Sequence, residues 1–156
     1  MASNPQWLSE DESRVWRSYL RMHDLLRARL ARELDRDAGL SDTDYGVLVH
    51  LSEAPDHRLR MHELVARLLW EKSRLSHHVT RMQQRGLVVR EDCASDGRGS
   101  FVALTPAGAQ AIERAAPDHV AAVRRHLFDL LSPAEIGVLS DITDRVVGHL
   151  STAEAD

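Results

Sequence analysis

The sequence predicts a mainly α-helical protein that carries one small β-hairpin. Apolar residues recur at helical spacing over most of the chain, and capping signals mark where helices begin. After residue 86 the period changes to two short β-branched segments around a glycine-containing loop. With 156 residues, 43% of them hydrophobic, the chain can bury a core as one domain or as two small packed ones.

The first predicted helix is unusually long for so small a protein. Ser9 and Glu12 form a capping-box pattern, and Gly39 is a typical helix stop. Between them runs one apolar stripe: Val15, Tyr19, Met22, Leu26, Leu30 and Leu34. A helix of about seven turns rarely serves a single small core, so we expect it to reach into a partner subunit.

Three shorter helices are predicted next. Ser41 caps the second, which Pro55 ends, and the third begins near Arg60 without a serine or threonine cap. The fourth runs from about Glu71 to Arg85.

The hairpin and two further helices complete the outline. The strands are predicted at residues 87–91 and 101–104, followed by a helix that opens at Thr105-Pro106. Pro117 should kink or interrupt that helix. Ser132 and Glu135 form the capping box of the last helix.

The charge is unevenly distributed along the chain. The whole sequence has a net charge of −4, yet residues 57–90 hold eight basic and two acidic residues, a surplus of six positive charges. The remaining 122 residues therefore carry −10. A basic block inside an acidic protein is typical of a nucleic-acid contact surface, although a solvated basic face without a partner is the plainer alternative.

The fourth helix favours the nucleic-acid interpretation. At 100° per residue, Leu75, Val79 and Met82 fall on one side and should be buried. The other sides carry hydrogen-bonding groups and no acid: Ser73, Arg74, Ser76, His77, Thr80, Arg81 and Gln84. Such side chains read base edges and phosphates. In the hairpin loop, Arg98 lies between two glycines, where it can enter a minor groove.

These residues resemble a known family. The segment MHELVARLLWEKSRLSHHVTRMQQRGLVVRE, the later DGRG and the FVALTPAG that ends at Gly108 are similar to the winged helix-turn-helix of MarR-type transcriptional regulators. The S-x-L-S-x-x-V-T-R, R-G-L-V-x-R, D-x-R and L-T-x-x-G patterns occur together, and the flanking helices follow the same order.

The resemblance implies a homodimer that binds double-stranded DNA, most often as a repressor at a pseudo-palindromic operator. Residues 1–38 and 106–156 would form a helical dimerisation region, and residues 39–105 the winged helix-turn-helix domain. The recognition helix would be residues 72–85 and the wing residues 93–100. The candidate DNA contacts are Lys72, Ser73, Arg74, Ser76, His77, Thr80, Arg81, Gln84 and Arg98. Such regulators often release DNA when a small phenolic or anionic effector binds.

Several residues are also compatible with other functions. Trp16, Tyr19, His23, Tyr45 and Trp70 are candidates for an aromatic effector pocket, or for core and dimer interface. Cys93 or the histidines would make a redox- or metal-responsive regulator, but no metal-ligand spacing is present and we expect neither metal nor cofactor. A winged helix used only for protein interaction is a further alternative.

Two broader classes are not expected. The sequence shows no phosphate-binding glycine loop and no nucleophile elbow, so we do not expect an enzyme. No stretch reaches the ~18 apolar residues of a membrane span, and the N-terminus lacks a signal-peptide pattern. A cytoplasmic protein without membrane association is therefore expected.

Overall fold

The computed structural model describes residues 7–92 and 100–153, which contain six α-helices and one three-stranded antiparallel sheet. The elements in chain order are α1 (Glu10–Ala38), α2 (Asp42–Ser52), β1 (Arg58–Arg60), α3 (Met61–Leu68), α4 (Lys72–Gln84), β2 (Val88–Asp92), β3 (Ser100–Leu104), α5 (Pro106–His126) and α6 (Pro133–Ala153). The predicted mainly helical class is confirmed.

The helix boundaries follow the capping signals of the sequence. At the start of α1, the Ser9 hydroxyl accepts from the Glu12 amide at 3.2 Å, and the Glu12 carboxylate accepts from the Ser9 amide at 2.7 Å. Gly39 ends the helix with a φ of 64°, a conformation that favours glycine. The same reciprocal pattern joins Ser41 and Asp44 at the start of α2. Both helices therefore begin where the sequence predicts.

The sheet has one strand more than the predicted hairpin. Its order is β1-β3-β2, and Leu59 of β1 pairs with Val102 of β3. The prediction of two strands was thus incomplete. Strand β1 is only three residues long, so the alternation of its single leucine between two arginines is too short to identify a strand, and its partner lies about forty residues further on.

The hydrophobic core lies between α2, α3, α4 and the sheet, with the ends of α1 and α5 packed against it. Among the described residues, the largest fully buried side chains are Val47, Leu48, Leu51, Leu64, Leu75, Val79, Met82, Val88 and Val102. One side of α4 packs against this core, and most of the side chains on its other sides are exposed to solvent.

The chain divides into two compact units between His119 and Val120. The first contains the core and the sheet. The second contains the end of α5 and all of α6, along which several large apolar side chains are exposed. Helix α5 continues through Pro117, so of the two expected outcomes the interruption was wrong and the kink stays a prediction: one missing backbone hydrogen bond does not end a helix of 21 residues. Within residues 7–92 and 100–153, no helix is both long and apolar enough to span a membrane.

The close approach of α5 to the end of α4 requires a glycine. The Thr105 hydroxyl reaches the Gly86 and Leu87 carbonyl oxygens at 2.6 and 3.0 Å, and it accepts from the Gly108 amide at 3.0 Å. A Cβ on Gly108 would overlap the carbonyl of Leu87. This contact gives the L-T-x-x-G pattern a structural reason.

We therefore expect Gly108→Ala to lower the free energy of unfolding by roughly 2 kcal/mol, since backbone has to move to make room. The control is Gly137→Ala on α6, where an added Cβ meets nothing within 4 Å and helix propensity improves. Urea unfolding followed by circular dichroism measures both. A Gly108→Ala protein as stable as the wild type would contradict the contact.

Candidate nucleic-acid interface

Helix α4 separates apolar from polar side chains as the sequence predicts. Leu75, Val79 and Met82 are fully buried. The exposed residues are Lys72, Ser73, Arg74, His77, Thr80, Arg81 and Gln84, and Ser76 is half-buried. All eight candidates that the sequence placed on this helix are thus accessible in part or in full. The ninth, Arg98, lies outside the described residues, as does Cys93.

The start of α4 favours an anion. No acidic residue lies in its first turn, whereas Lys72 and Arg74 do. The backbone amides at a helix N-terminus carry partial positive charge, which adds to that of these side chains. The turn before the helix runs through Leu69, whose φ is 53° and whose side chain is exposed. The first turn of α4 therefore carries two cations and no acid, next to the single carboxylate of its N-cap residue Glu71.

Arg74 is supported by an aromatic ring. Its guanidinium carbon lies 4.7 Å from the centre of the Trp70 ring, and Trp70 packs against the core. A guanidinium that stacks on a ring face keeps the N–H groups at its own edge free to donate hydrogen bonds.

A buried carboxylate lies beneath the middle of α4. The side chain of Asp44 is 3% exposed, and its Oδ2 accepts from Arg85 Nη1 at 2.7 Å. Its Oδ1 lies 3.0 Å from His78 Nε2, within ion-pair distance although the ring is not aligned for a hydrogen bond. Burial alone would raise the pKa of Asp44, but the contacts with His78, Arg85 and Ser41 outweigh it and hold that pKa well below its usual range. Asp44 is therefore an anion that joins α2 to α4.

Arg81 extends this arrangement to the surface. Its Nη2 lies 3.1 Å from His78 Nδ1, on the opposite edge of the ring from Asp44. Arg85 also donates to the Gly39 carbonyl at 2.9 Å, which ties α4 to the end of α1. No role was predicted for Asp44 or for the side chain of Arg85; the R-G-L-V-x-R pattern that begins at Arg85 was the available signal.

Arg90 links α4 to the sheet, a role that sequence analysis also missed. Its Nη2 donates to the Ser76 carbonyl at 2.8 Å, to the Ser76 hydroxyl at 3.1 Å and to the Thr80 hydroxyl at 3.2 Å. The Thr80 hydroxyl donates back to the Ser76 carbonyl at 3.0 Å. Because the hydroxyl proton of Thr80 is donated within the helix, the Thr80 hydroxyl is available to DNA only as a hydrogen-bond acceptor.

The sheet adds two cations near the predicted wing. The guanidinium carbons of Arg58 and Arg60 each lie 5.0 Å from the centre of the Phe101 ring. Arg58 also approaches Glu91 at 3.4 Å. Both arginines belong to β1, the strand that the sequence did not reveal.

The five residues proposed for an effector pocket fall into separate groups. Trp16 and Tyr19 are exposed on α1, and their rings stack on each other with 5.9 Å between ring centres. His23 on the same helix approaches Asp24. The rings of Tyr45 and His119 are in contact, with 4.3 Å between ring centres. Burial raises the pKa of Tyr45 and lowers the pKa of His119. Trp70 lies beneath Arg74. The effector pocket stays a prediction.

Metal binding finds no support in the described part of the chain. No group of three or more histidine, cysteine or acidic side chains lies close enough there to hold an ion. Buried His78 contacts Asp44 and Arg81 instead.

The chain is similar to known transcription regulators. A sequence profile described as MarR family matches residues 38–99. The crystal structure of AbsC, a MarR family transcriptional regulator from Streptomyces coelicolor, is 41% identical, covers 95% of this chain and 99% of its own, and superimposes with a TM-score of 0.89. The chain belongs to the MarR family. It is a winged-helix transcription regulator, not an enzyme.

Two further MarR-family comparisons agree. Sco3205, also from Streptomyces coelicolor and solved in complex with DNA, is 46% identical over 95% of this chain and 92% of its own, with a TM-score of 0.90. The HTH-type transcriptional regulator MhqR of Bacillus subtilis is 25% identical over 108 residues, which are 69% of this chain and 72% of MhqR.

Proposed function

We propose that this MarR-family regulator binds a pseudo-palindromic operator as a homodimer and represses transcription there. Helix α4 enters the major groove, and the wing reaches the neighbouring minor groove through Arg98. The observation that carries the proposal is the exposed side of α4, which combines Arg74, Arg81 and Gln84 with no acidic side chain. The relative solved in complex with DNA, at 46% identity, supports DNA binding by this chain.

The exposed residues of α4 divide into two kinds of contact. Arg74, Arg81 and Gln84 have the geometry for base edges, since arginine pairs with guanine and glutamine with adenine. Lys72, Ser73 and His77 lie near the start of the helix, where phosphate contacts set the register of the protein on the duplex. Sequence preference thus comes from Arg74, Arg81 and Gln84, and much of the affinity from Lys72, Ser73 and His77.

The dimer is inferred from apolar surface that a single chain leaves uncovered. On α1 this surface is formed by Val15, Trp16, Tyr19, Leu20, Met22 and Leu25, and on α6 by Ile136, Val138, Ile142, Val146, Val147 and Leu150. Exposed patches of this extent are typical of protein interfaces. We assign residues 1–38 and 106–156 to dimerisation and residues 39–105 to DNA binding. Two recognition helices would then meet the duplex about one helical turn, roughly 34 Å, apart.

The proposal is tested by titrating the protein against an operator selected from random duplexes, at several salt concentrations. We expect the logarithm of the binding constant to fall linearly with the logarithm of salt, with a slope of roughly −0.9 for each phosphate contacted and several contacts per subunit. A scrambled duplex of equal length and charge is the control.

Stoichiometry completes the test. Two chains should bind each operator, and sedimentation should show a dimer in the absence of DNA. Selection that yields no enriched sequence, or affinity that salt does not change, would favour a winged helix used only for protein interaction.

A further inference from the structure

Two exposed arginines of α4 differ from their neighbours because each contacts a ring beneath it. Arg74 lies on Trp70, with 4.7 Å between the guanidinium carbon and the ring centre. Arg81 approaches His78, with 3.1 Å between Nη2 and Nδ1. Within the described residues, neither arginine forms an ion pair with a carboxylate, so both keep charge and donors for a ligand.

The rings that support these arginines are themselves fixed. Trp70 and His78 meet edge to face, with 5.8 Å between ring centres and 87° between ring planes. His78 is 7% exposed and lies against the Asp44 carboxylate, which Arg85 and the Ser41 amide hold in place. The supports are therefore rigid, whereas the arginines above them reach solvent.

The spacing of the two arginines suits a duplex. Seven residues, or about two helical turns, separate Arg74 from Arg81, which is roughly 10 Å along the helix axis. An unsupported arginine loses much rotamer freedom when it binds, but one already held in a single orientation loses less. Two held guanidinium groups at this separation can therefore address two sites on DNA at a reduced entropic cost.

We propose that Trp70 and His78 are positioning residues for DNA recognition: they hold the guanidinium groups of Arg74 and Arg81 in the orientation in which α4 presents them to DNA. This inference rests on the proposed function and adds two residues that do not themselves touch the duplex. It also gives Trp70 a role different from the effector pocket to which the sequence assigned it.

A double-mutant cycle on the selected operator tests the first pair. We expect Trp70→Leu to weaken binding by about two- to tenfold, the entropic cost of ordering one free side chain on binding. Trp70→Leu combined with Arg74→Ala should bind no more weakly than Arg74→Ala alone, because the ring acts through the arginine. Trp70→Phe keeps a ring face and should bind within about twofold of the wild type.

A second cycle uses His78→Phe, which keeps a ring but removes the acceptor that faces Arg81. It should weaken binding by about two- to tenfold, the entropic cost of ordering the freed Arg81 side chain on binding, and this effect should vanish in the Arg81→Ala background. If Trp70→Leu fails to fold, this second cycle decides the inference by itself. All affinities are referred to the fraction of protein that binds DNA at saturation, so that a loss of folded protein is not counted as a loss of affinity.

The outcomes separate the two proposals. If Arg74→Ala and Arg81→Ala both leave affinity unchanged, the DNA-binding face is wrong and the positioning inference fails with it. If the arginine variants weaken binding but the ring variants do not, or if their effects add fully, only the positioning inference fails. A merely structural role for the rings predicts full additivity.

Discussion

Replacing Asp44 by alanine should lower the free energy of unfolding by about 3 kcal/mol at neutral pH. The neighbouring substitution Asp42→Ala should cost less than about 1 kcal/mol. Both aspartates lie in the first turn of α2 and both contact an arginine, so they form a matched pair.

Burial accounts for the difference between the two substitutions. The side chain of Asp42 is 41% exposed and its partner Arg27 is 59% exposed, so water competes for that pair. The side chain of Asp44 is 3% exposed, and removing it leaves His78 and the Ser41 amide without their counterpart. Arg85 is 46% exposed and can turn to water, which keeps the expected loss near the lower end for a broken buried pair.

The pH dependence of stability provides a second readout of the same carboxylate. Because the pKa of Asp44 is lower in the folded than in the unfolded protein, its stabilising effect is complete above the unfolded value of about 4. That effect is lost as the pH falls through the folded value. We therefore expect wild-type stability to decline below about pH 4 more steeply than the stability of Asp44→Ala.

Urea unfolding at fixed chain concentration measures these differences, since dimerisation makes apparent stability depend on concentration. Equal losses of unfolding free energy for Asp42→Ala and Asp44→Ala at neutral pH would show that the contacts of buried Asp44 stabilise the fold no more than the exposed pair of Asp42 and Arg27. Parallel acid profiles for the wild type and Asp44→Ala would contradict the lowered pKa.

Local sequence patterns were sufficient to place the helices and the accessible side of α4. Capping residues lie within a few positions of the amides they satisfy, and the burial of Leu75, Val79 and Met82 follows from helical geometry alone. Where structure depends on the next few residues, the sequence shows it directly.

Features that depend on distant residues were missed. His78 lies next to the apolar stripe of α4, and its ring contacts the carboxylate of Asp44, which is 34 positions earlier in the chain. Arg85 contacts the same carboxylate from 41 positions away. Strand β1 exists because β3 pairs with it. A side chain's type and its spacing within one helix do not specify such partners, so the sequence could name the exposed arginines but not the rings and carboxylate beneath them.

The charge distribution gained a structural explanation. The eight basic residues of the block at residues 57–90 are three exposed ones on α4, two on β1 beside Phe101, Arg67 on α3, and two that bind within the protein. Arg85 and Arg90 belong to the last kind, since they contact Asp44 and the Ser76–Thr80 turn. Part of the positive surplus therefore holds α4 in place, and only part is available to DNA.

The second large effect is expected from reversing charge on the exposed side of α4. Arg74→Glu combined with Arg81→Glu changes two donors in each subunit into acids, four per dimer. Each good arginine–base contact contributes about 1–3 kcal/mol, and like charges now face the phosphates, so operator affinity should fall by at least about a hundredfold. The fold should survive, because both side chains are exposed.

A matched control carries the same change of charge elsewhere. Arg32→Glu combined with Arg114→Glu reverses two exposed arginines, one on α1 and one on α5. Long-range repulsion is screened over about 8 Å at physiological salt, so this variant should bind the operator within a few-fold of the wild type. Because Arg32 and Arg114 lie in the regions assigned to dimerisation, sedimentation is run beforehand, and affinities are compared once both variants are shown to be dimers.

The most direct measurement of the central claim is the operator affinity of these two variants at one salt concentration near 0.15 M. A loss of at least about a hundredfold for the α4 variant, with a change of only a few-fold for the control, is the expected result. Equal affinity for the two variants would contradict the assignment of the exposed side of α4 as the DNA-reading surface.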